Sequence, residues 1–424
     1  MTMTTHHIGR IVVGCLAGGV LAALALVAGP FAGADEHVIT GIVLLAFASS
    51  WGLLAALSML WTDQPQRWAA LPAGFMGVAG AGVLVFAPSE AVIMALGWIW
   101  PPLFLAVLGV TVVRVREALH SRTRSWVVYP LLTVCVLSAL GAGYQAVRES
   151  LDRRTPSAPG RLIDVGGHRL YLNCTGSGNP TVVLQSGLGE DSAYWESIST
   201  AVARDTQVCV YDRAGRGWSE PPSVPQDGVA IARDLHVLLE RADVQGPFVL
   251  VGHSSGAQYV RIFAGRYPEQ VAGVVLLDGQ PAEAFEGLPI FPLFYRVFSR
   301  VYALLPSLAR LGVGRLLGHP DWSPRAARSL HDEFAELPTS LAQARAFQSL
   351  GDRPLVVVTA SRDAMAGWLP LQDAMAKLST NSRHEVVPFE HTELVTGEMG
   401  ARTSSQAIRD VVHSVRFAAP LAKS

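Results

Sequence analysis

Five long stretches of this chain carry no acidic or basic side chain, and they limit what it can fold into more than any other feature. They are Ile11–Ala32, Val38–Leu60, Trp68–Ala87, Ala91–Val113 and Ser125–Val147. Each is close to the ~20 residues a helix needs to cross the hydrocarbon core of a bilayer. One such run alone could be a buried core helix. Five in succession, separated only by Asp35-Glu36-His37, Asp63 to Arg67, Ser89-Glu90 and Arg114 to Arg124, read as membrane spans. Trp61, Trp68, Trp98, Trp100 and Trp126 fall at or near their ends, where indole rings favour the interface.

Arginine placement orients these spans. If they alternate, Arg10, Arg67, Arg114, Arg116, Arg122 and Arg124 share one side, and the short loops of the other side have none; Arg148, Arg153 and Arg154 follow the last span. The excess of positive charge marks the inner side, so the N-terminus is expected inside and the C-terminal half outside. Phe31-Ala32-Gly33-Ala34 resembles a signal-cleavage site. Cleavage there would leave four spans with the same orientation. No span carries an internal charge of the kind that proton relays and ion paths use. Residues 1–150 therefore read as an anchor of about five helices rather than as a transporter.

Composition changes after these runs. The whole chain is 16% charged, against about 25% for a soluble domain. The deficit lies in residues 11–147. The net charge of −1 gives no support for a nucleic-acid or polyanion partner. The four cysteines form neither a Cys-x-x-Cys pair nor a Cys/His cluster, so no metal site is indicated. Residues 151–160, including Asp152 to Gly160, are charged and then rich in Pro, Ser and Gly, and read as a linker.

Beyond the linker, short β-rich runs alternate with helical spacing. Arg161–Val165 and His168–Cys174 suggest a hairpin turning at Gly166-Gly167. Thr181–Ser186, Gln207–Tyr211, Phe248–Val251, Val271–Leu277 and Pro354–Ala360 are continuous apolar runs, as in strands buried on both faces of a parallel sheet. His384–Phe389 is a last candidate strand. Gly228–Ala242 and Ser255–Tyr267 have helical spacing. The expected fold class is an α-helical transmembrane region followed by a doubly wound, mostly parallel α/β domain.

Gly252-His253-Ser254-Ser255-Gly256 lies between one of these strands and a helix. A G-x-S-x-G sequence in that context is a nucleophile elbow, a strained turn that lifts the serine hydroxyl clear of the sheet. Ser254 is thus the candidate nucleophile. A serine hydroxyl needs an adjacent base, and His391, just past the last strand, is the first choice. His384 is a rival at that strand's start. His253 is expected to point away from the elbow tip, and His319, His331 and His413 look like surface residues. The acid that orients the base is assigned to Asp363, in the loop after Pro354–Ala360; Asp278, at the end of Val271–Leu277, is the alternative. The oxyanion hole needs two N–H donors. Ser255 supplies one, and Leu188 of Gly187-Leu188-Gly189 is assigned the other.

At these residues the chain resembles the α/β-hydrolase superfamily, in particular its serine esterase-like members. The resemblance runs from about Arg161 to the C-terminus. It rests on Gln185-Ser186-Gly187-Leu188-Gly189, on Tyr211-Asp212-Arg213-Ala214-Gly215-Arg216-Gly217-Trp218-Ser219, on the Ser254 elbow and on the Asp363 and His391 loops. The Asp212–Ser219 stretch also looks like that of epoxide hydrolases and haloalkane dehalogenases, whose nucleophile is an aspartate; here the position is Ser254. The resemblance implies an α/β-hydrolase domain over 161–424, with a small helical cap at about 280–345. It implies cleavage of a carboxylic ester through an acyl-enzyme, with a small-molecule ester or lipid-like substrate and no cofactor. A peptidase, lipase or acyltransferase of the same fold is the alternative, as is a non-enzymatic membrane sensor or transporter. The sheet of this family sets its second strand beside its fourth. That implies that Cys174 and Cys209 can meet in a disulfide, the other outcome being two separate buried thiols. A disulfide would agree with an extracytoplasmic domain.

Overall fold

The computed structural model describes residues 7–118, 122–152, 158–318 and 322–422. The middle of the linker (153–157), with Arg153 and Arg154, and His319 lie outside them, as do the side chains of Arg122, Arg124 and Trp126. The chain divides into two compact units. One comprises Met1–Pro156 with Phe298–Arg328, the other Ser157–Val297 with Ser329–Ser424.

The first unit is built on five helices: α1 (His7–Ala28), α2 (Glu36–Trp61), α3 (Ala70–Phe86), α4 (Glu90–Ala118) and α5 (Arg122–Asp152). All five are long and apolar enough to cross a membrane. Small residues let them approach. A Cβ on Gly41 of α2 would lie 2.9 Å from the Cβ of Leu84, and one on Gly80 of α3 would lie 2.9 Å from that of Leu44. Close backbone approach of this kind is how helices associate where lipid removes the hydrophobic drive. The apolar side chains of this unit are largely turned outward: Val78, Val85 and Phe86 are each more than 70% exposed.

The second unit holds an eight-stranded sheet of order β1-β2-β4-β3-β5-β6-β7-β8. The strands are β1 (Arg161–Asp164), β2 (Arg169–Thr175), β3 (Thr181–Gln185), β4 (Val208–Tyr211), β5 (Phe248–His253), β6 (Val271–Leu277), β7 (Leu355–Ala360) and β8 (Ser382–Val387). Pairing is antiparallel for β1 with β2 and for β2 with β4, and parallel elsewhere. Every residue of β3, β5 and β7 is buried. These runs of Val and Leu have an apolar core on each face, one around Leu235, Leu250 and Phe263, the other around Val249, Val356 and Ile408. Helices α6 (Gly228–Arg241) and α7 (Gly256–Arg266) pack on the first face, and a long C-terminal helix (Glu398–Phe417) on the other. Asp227 caps α6 by accepting the Ala230 N–H at 2.8 Å, which satisfies one of the donors a helix start leaves open.

Two points differ from the sequence reading or extend it. The segment expected as a cap, about 280–345, is divided: Phe298–Arg328 packs with the five-helix unit, because its arginines pair with acids at the helix ends there. And Cys174 stands opposite Cys209 in the β2–β4 register, where the two sulfurs are joined.

Candidate active site

The strand β5 ends at His253, and α7 begins at Gly256. Two residues must reverse the chain between them, and Ser254 does so at φ +54°. The flanking glycines leave no room for a side chain. A Cβ on Gly252 would stand 2.8 Å from the Ala257 backbone, and one on Gly256 would run into the carbonyl oxygens of Gln185 and Ser186. The turn is held by the Ser254 N–H donating to Leu277 O at 3.1 Å and by Ser254 O accepting the Gln280 N–H at 2.7 Å. Ser254 therefore sits half-buried at the C-terminal edge of the sheet, the edge where open α/β sheets bind ligands.

The β3 loop lies against it. A Cβ on Gly187 would come within 2.8 Å of the Ser254 Cβ. Arg213, itself buried, fixes this loop by donating to Ser186 O at 2.6 Å and to Gly187 O at 2.7 Å. Its guanidinium is held in turn by Glu333 through bonds of 3.0 and 2.8 Å, and lies over the Tyr259 ring. Burial opposes the Arg213 charge, but Glu333 outweighs it and the cation is favoured. Among the described residues the backbone N–H groups of Leu188 and Ser255 donate to no protein acceptor.

His391 meets an acid, but not the one assigned. Its Nδ1 is 2.5 Å from Asp278 Oδ2. Asp278 follows β6 at φ +44° and is 3% exposed. Its other oxygen accepts the Trp368 Nε1–H at 2.7 Å and the Ala360 N–H at 3.2 Å. The assignment of the orienting acid to Asp363 is corrected. Asp363 is exposed and takes the backbone N–H of His391 at 3.0 and 3.1 Å, so it holds the loop and not the imidazole. The reason is sheet order. β6 is the neighbour of β5, whereas β7 is one strand, ~4.8 Å, farther from the elbow.

Beneath His391 lies a second pair that the sequence reading did not assign. His253 is fully buried, with Nδ1 2.8 Å from Glu190 Oε1 and Nε2 3.2 Å from His391 O. Both ring nitrogens are thus engaged. The two imidazoles are 4.6 Å apart, centre to centre. Glu190 also takes the Gly187 N–H at 2.6 Å. Burial would raise the Glu190 carboxyl, but the charge and hydrogen bond of His253 and the Gly187 N–H bring it below the usual range. Burial likewise pushes the His391 imidazole down, yet the hydrogen bond and charge of Asp278, with Glu190 and Asp363 behind it, lift it above the ordinary histidine value. The sequence signals for this layer were Glu190 directly after Gly187-Leu188-Gly189 and His253 inside the elbow.

The other histidines are elsewhere. His384 bonds Asp373 and Thr359 within the β7–β8 region. His413 is exposed. His331, expected at the surface, is 6% exposed and bonds Asp332. Among the described residues no cluster of His, Cys, Asp and Glu could hold a metal ion.

Comparison with known proteins agrees with this fold. A family model described as the alpha/beta hydrolase fold matches residues 180–308. An uncharacterized protein of Schizosaccharomyces pombe is 33% identical over 193 residues, covering 38% of this chain and 35% of its own. A Hormonema carpetanum protein provisionally named as a transporter is 26% identical, over 46% of this chain and 30% of its own. The match thus spans about a third of the length of these two relatives. Among solved structures, a protein from Acinetobacter baumannii provisionally described as a lipase superposes with a TM-score of 0.51 at 17% identity, covering 65% of this chain and 97% of that one. One from Salmonella enterica provisionally described as an acyltransferase gives 0.50 at 18%, covering 62% and 99%. At such identities the likeness is one of fold. The second unit has the α/β-hydrolase fold.

Proposed function

We propose that this α/β-hydrolase domain is a membrane-anchored serine hydrolase that cleaves a carboxylic ester through an acyl-enzyme. The observation that carries the proposal is the Asp278–His391 hydrogen bond beside the strained Ser254 elbow. Ser254 Oγ attacks the ester carbonyl while His391 takes its proton. The N–H groups of Leu188 and Ser255 receive the oxyanion. Arg213 and Glu333 keep the loop that carries Leu188 in place. Collapse of the tetrahedral adduct releases the alcohol, protonated by His391. Water, deprotonated by the same imidazole, then frees the acid and restores Ser254. Asp278 holds the imidazole in one tautomer and favours its charged form. No step calls for a metal or cofactor. A Pseudomonas aeruginosa protein provisionally described as an epoxide hydrolase also lies near this one in shape, but the epoxide hydrolases that this chain resembles use an aspartate where it has Ser254.

A fluorophosphonate probe should label the full chain and fail on Ser254→Ala. Labelling of the variant at the wild-type level overturns the assignment, and a wild type that resists the probe favours a non-enzymatic domain. The same proposal sets the five helices across a membrane with the hydrolase domain outside. Support comes from the arginine distribution and from Cys174 joined to Cys209, a bond that persists in oxidising compartments. Non-reducing mass mapping of membrane-isolated protein should find that bridge, and two free thiols would remove it. A C-terminal alkaline phosphatase fusion should be active; an inactive fusion would reverse the orientation.

A further inference from the structure

The segment Phe298–Arg328 packs with the five apolar helices in one compact unit, and its contacts fall at one set of helix ends. Arg310 bonds Glu36, the first residue of α2, at 3.0 Å through Nη2, and Glu90, the first residue of α4, at 2.8 Å. Arg328 bonds Glu90 at 2.9 Å. Arg315 pairs with Asp152, the last residue of α5. If the helices alternate across a bilayer, these three ends lie on the same side. The segment also reaches past the charged ends. Thr40, in the second turn of α2, meets Ser307 at 2.9 Å, hydroxyl to hydroxyl. The backbone at Leu311 and Gly312 lies directly on Gly141, six residues inside the end of the charge-free run at Val147. Six residues of helix correspond to on the order of 9 Å.

What this segment leaves uncovered is apolar. Val301 and Leu308 are 43% and 42% exposed, two turns apart on the same face of the helix Phe291–Arg310. Leu316, Leu317 and Trp322 follow at 68%, 67% and 47%. Arg300 is exposed beside Val301. Of the segment's arginines, 310, 315 and 328 are paired with acids at the helix ends, which leaves the exposed Arg300 as the cation that borders this apolar face. An apolar face with cationic flanks is the composition of helices that lie in the membrane interface, sunk ~5–10 Å among headgroups and upper acyl chains.

We infer that residues 298–317 form an in-plane membrane element, tied by Arg310, Arg315 and Arg328 to the span ends, whose partner is the phospholipid leaflet on the side of the hydrolase domain. It rests on the reading of α1 to α5 as spans. It deepens the proposed function: part of the insertion expected as a cap lies in lipid, so the esters offered to this enzyme are those dissolved in the bilayer. Leu308→Cys and Leu316→Cys, each in a full chain with Cys15→Ala and Cys135→Ala, are labelled with an environment-sensitive nitrobenzoxadiazole dye. They are then reconstituted into phosphatidylcholine–phosphatidylglycerol vesicles. Labelled Val85→Cys, on a span, and Val386→Cys, on β8, are the lipid and water references. Only preparations with an unchanged melting temperature are compared. Both test positions should be quenched severalfold more by phospholipid carrying a nitroxide near the headgroup than by aqueous iodide. Iodide quenching like that at Val386, with Val85 still quenched by lipid, overturns the inference and leaves the spans standing. Iodide quenching at Val85 removes the span reading and this inference with it, while leaving the Ser254 labelling test unaffected.

Discussion

Two aspartates close two adjacent strands of the same sheet, and only one of them reaches the imidazole. Asp278, after β6, is buried, and both of its oxygens have assigned partners: one takes Ala360 N–H and Trp368 Nε1–H, the other His391 Nδ1. Asp363, after β7, is exposed and spends both oxygens on the His391 backbone N–H. The comparison teaches that the carboxylate which meets the imidazole is the one held by other donors in a dry place. Its direction is then fixed before the imidazole arrives. An exposed carboxylate steadies a loop instead.

The largest test of that difference is the rate. Asp278→Asn should lower kcat/KM by about four orders of magnitude, because an amide selects the wrong tautomer and does not stabilise the imidazolium. Asp363→Asn keeps an oxygen to accept the backbone N–H and should cost less than about tenfold, the loss of one neutral-for-charged hydrogen bond. Steady-state kinetics on a nitrophenyl ester would rank them, and the opposite ranking would return the role to Asp363. A second test is the pH profile. The lifted imidazole stays protonated to higher pH, and the base must be neutral to act, so the acidic limb of kcat/KM should lie above the ordinary histidine value. Asp278→Asn removes the strongest opposing influence and leaves burial, so the limb should move to lower pH. Asp363→Asn should move it the same way and less, since its charge is the weakest of the named contributions. A limb that stays fixed in Asp278→Asn would separate it from His391. The smallest effect concerns stability. Removing the loop tie with Asp363→Ala should cost about 0.5–1.5 kcal/mol in denaturant unfolding, with the Ser254 label still accepted.

Much of this site could be read from residues alone. Ser254 was visible because its glycines, its strand and its helix all occur within a few positions, and the elbow is a local structure. His391 followed from its place after the last strand. The acid was not legible. Asp278 and Asp363 both follow an apolar strand and both precede His391, so chain order treats them alike. Glu190 and His253 escaped for a related reason: their pairing joins a loop to the end of β5, 63 residues away. The same holds for Arg213 and Glu333, 120 residues apart.

The sequence by itself determined which stretches are apolar enough to span a bilayer and which alternate as strand and helix, because periodicity and charge are properties of neighbouring residues. It also singled out Ser254 as the candidate nucleophile, for the same reason. Only the tertiary structure decided which acid faces His391, since that depends on the order of strands in the sheet rather than in the chain. It alone decided, too, that Phe298–Arg328 packs with the apolar helices. An arginine does not reveal in sequence which carboxylate will neutralise it, and Arg310 finds Glu36 across 274 residues. Burial and pairing are set by distance in space, and the chain records only distance along itself.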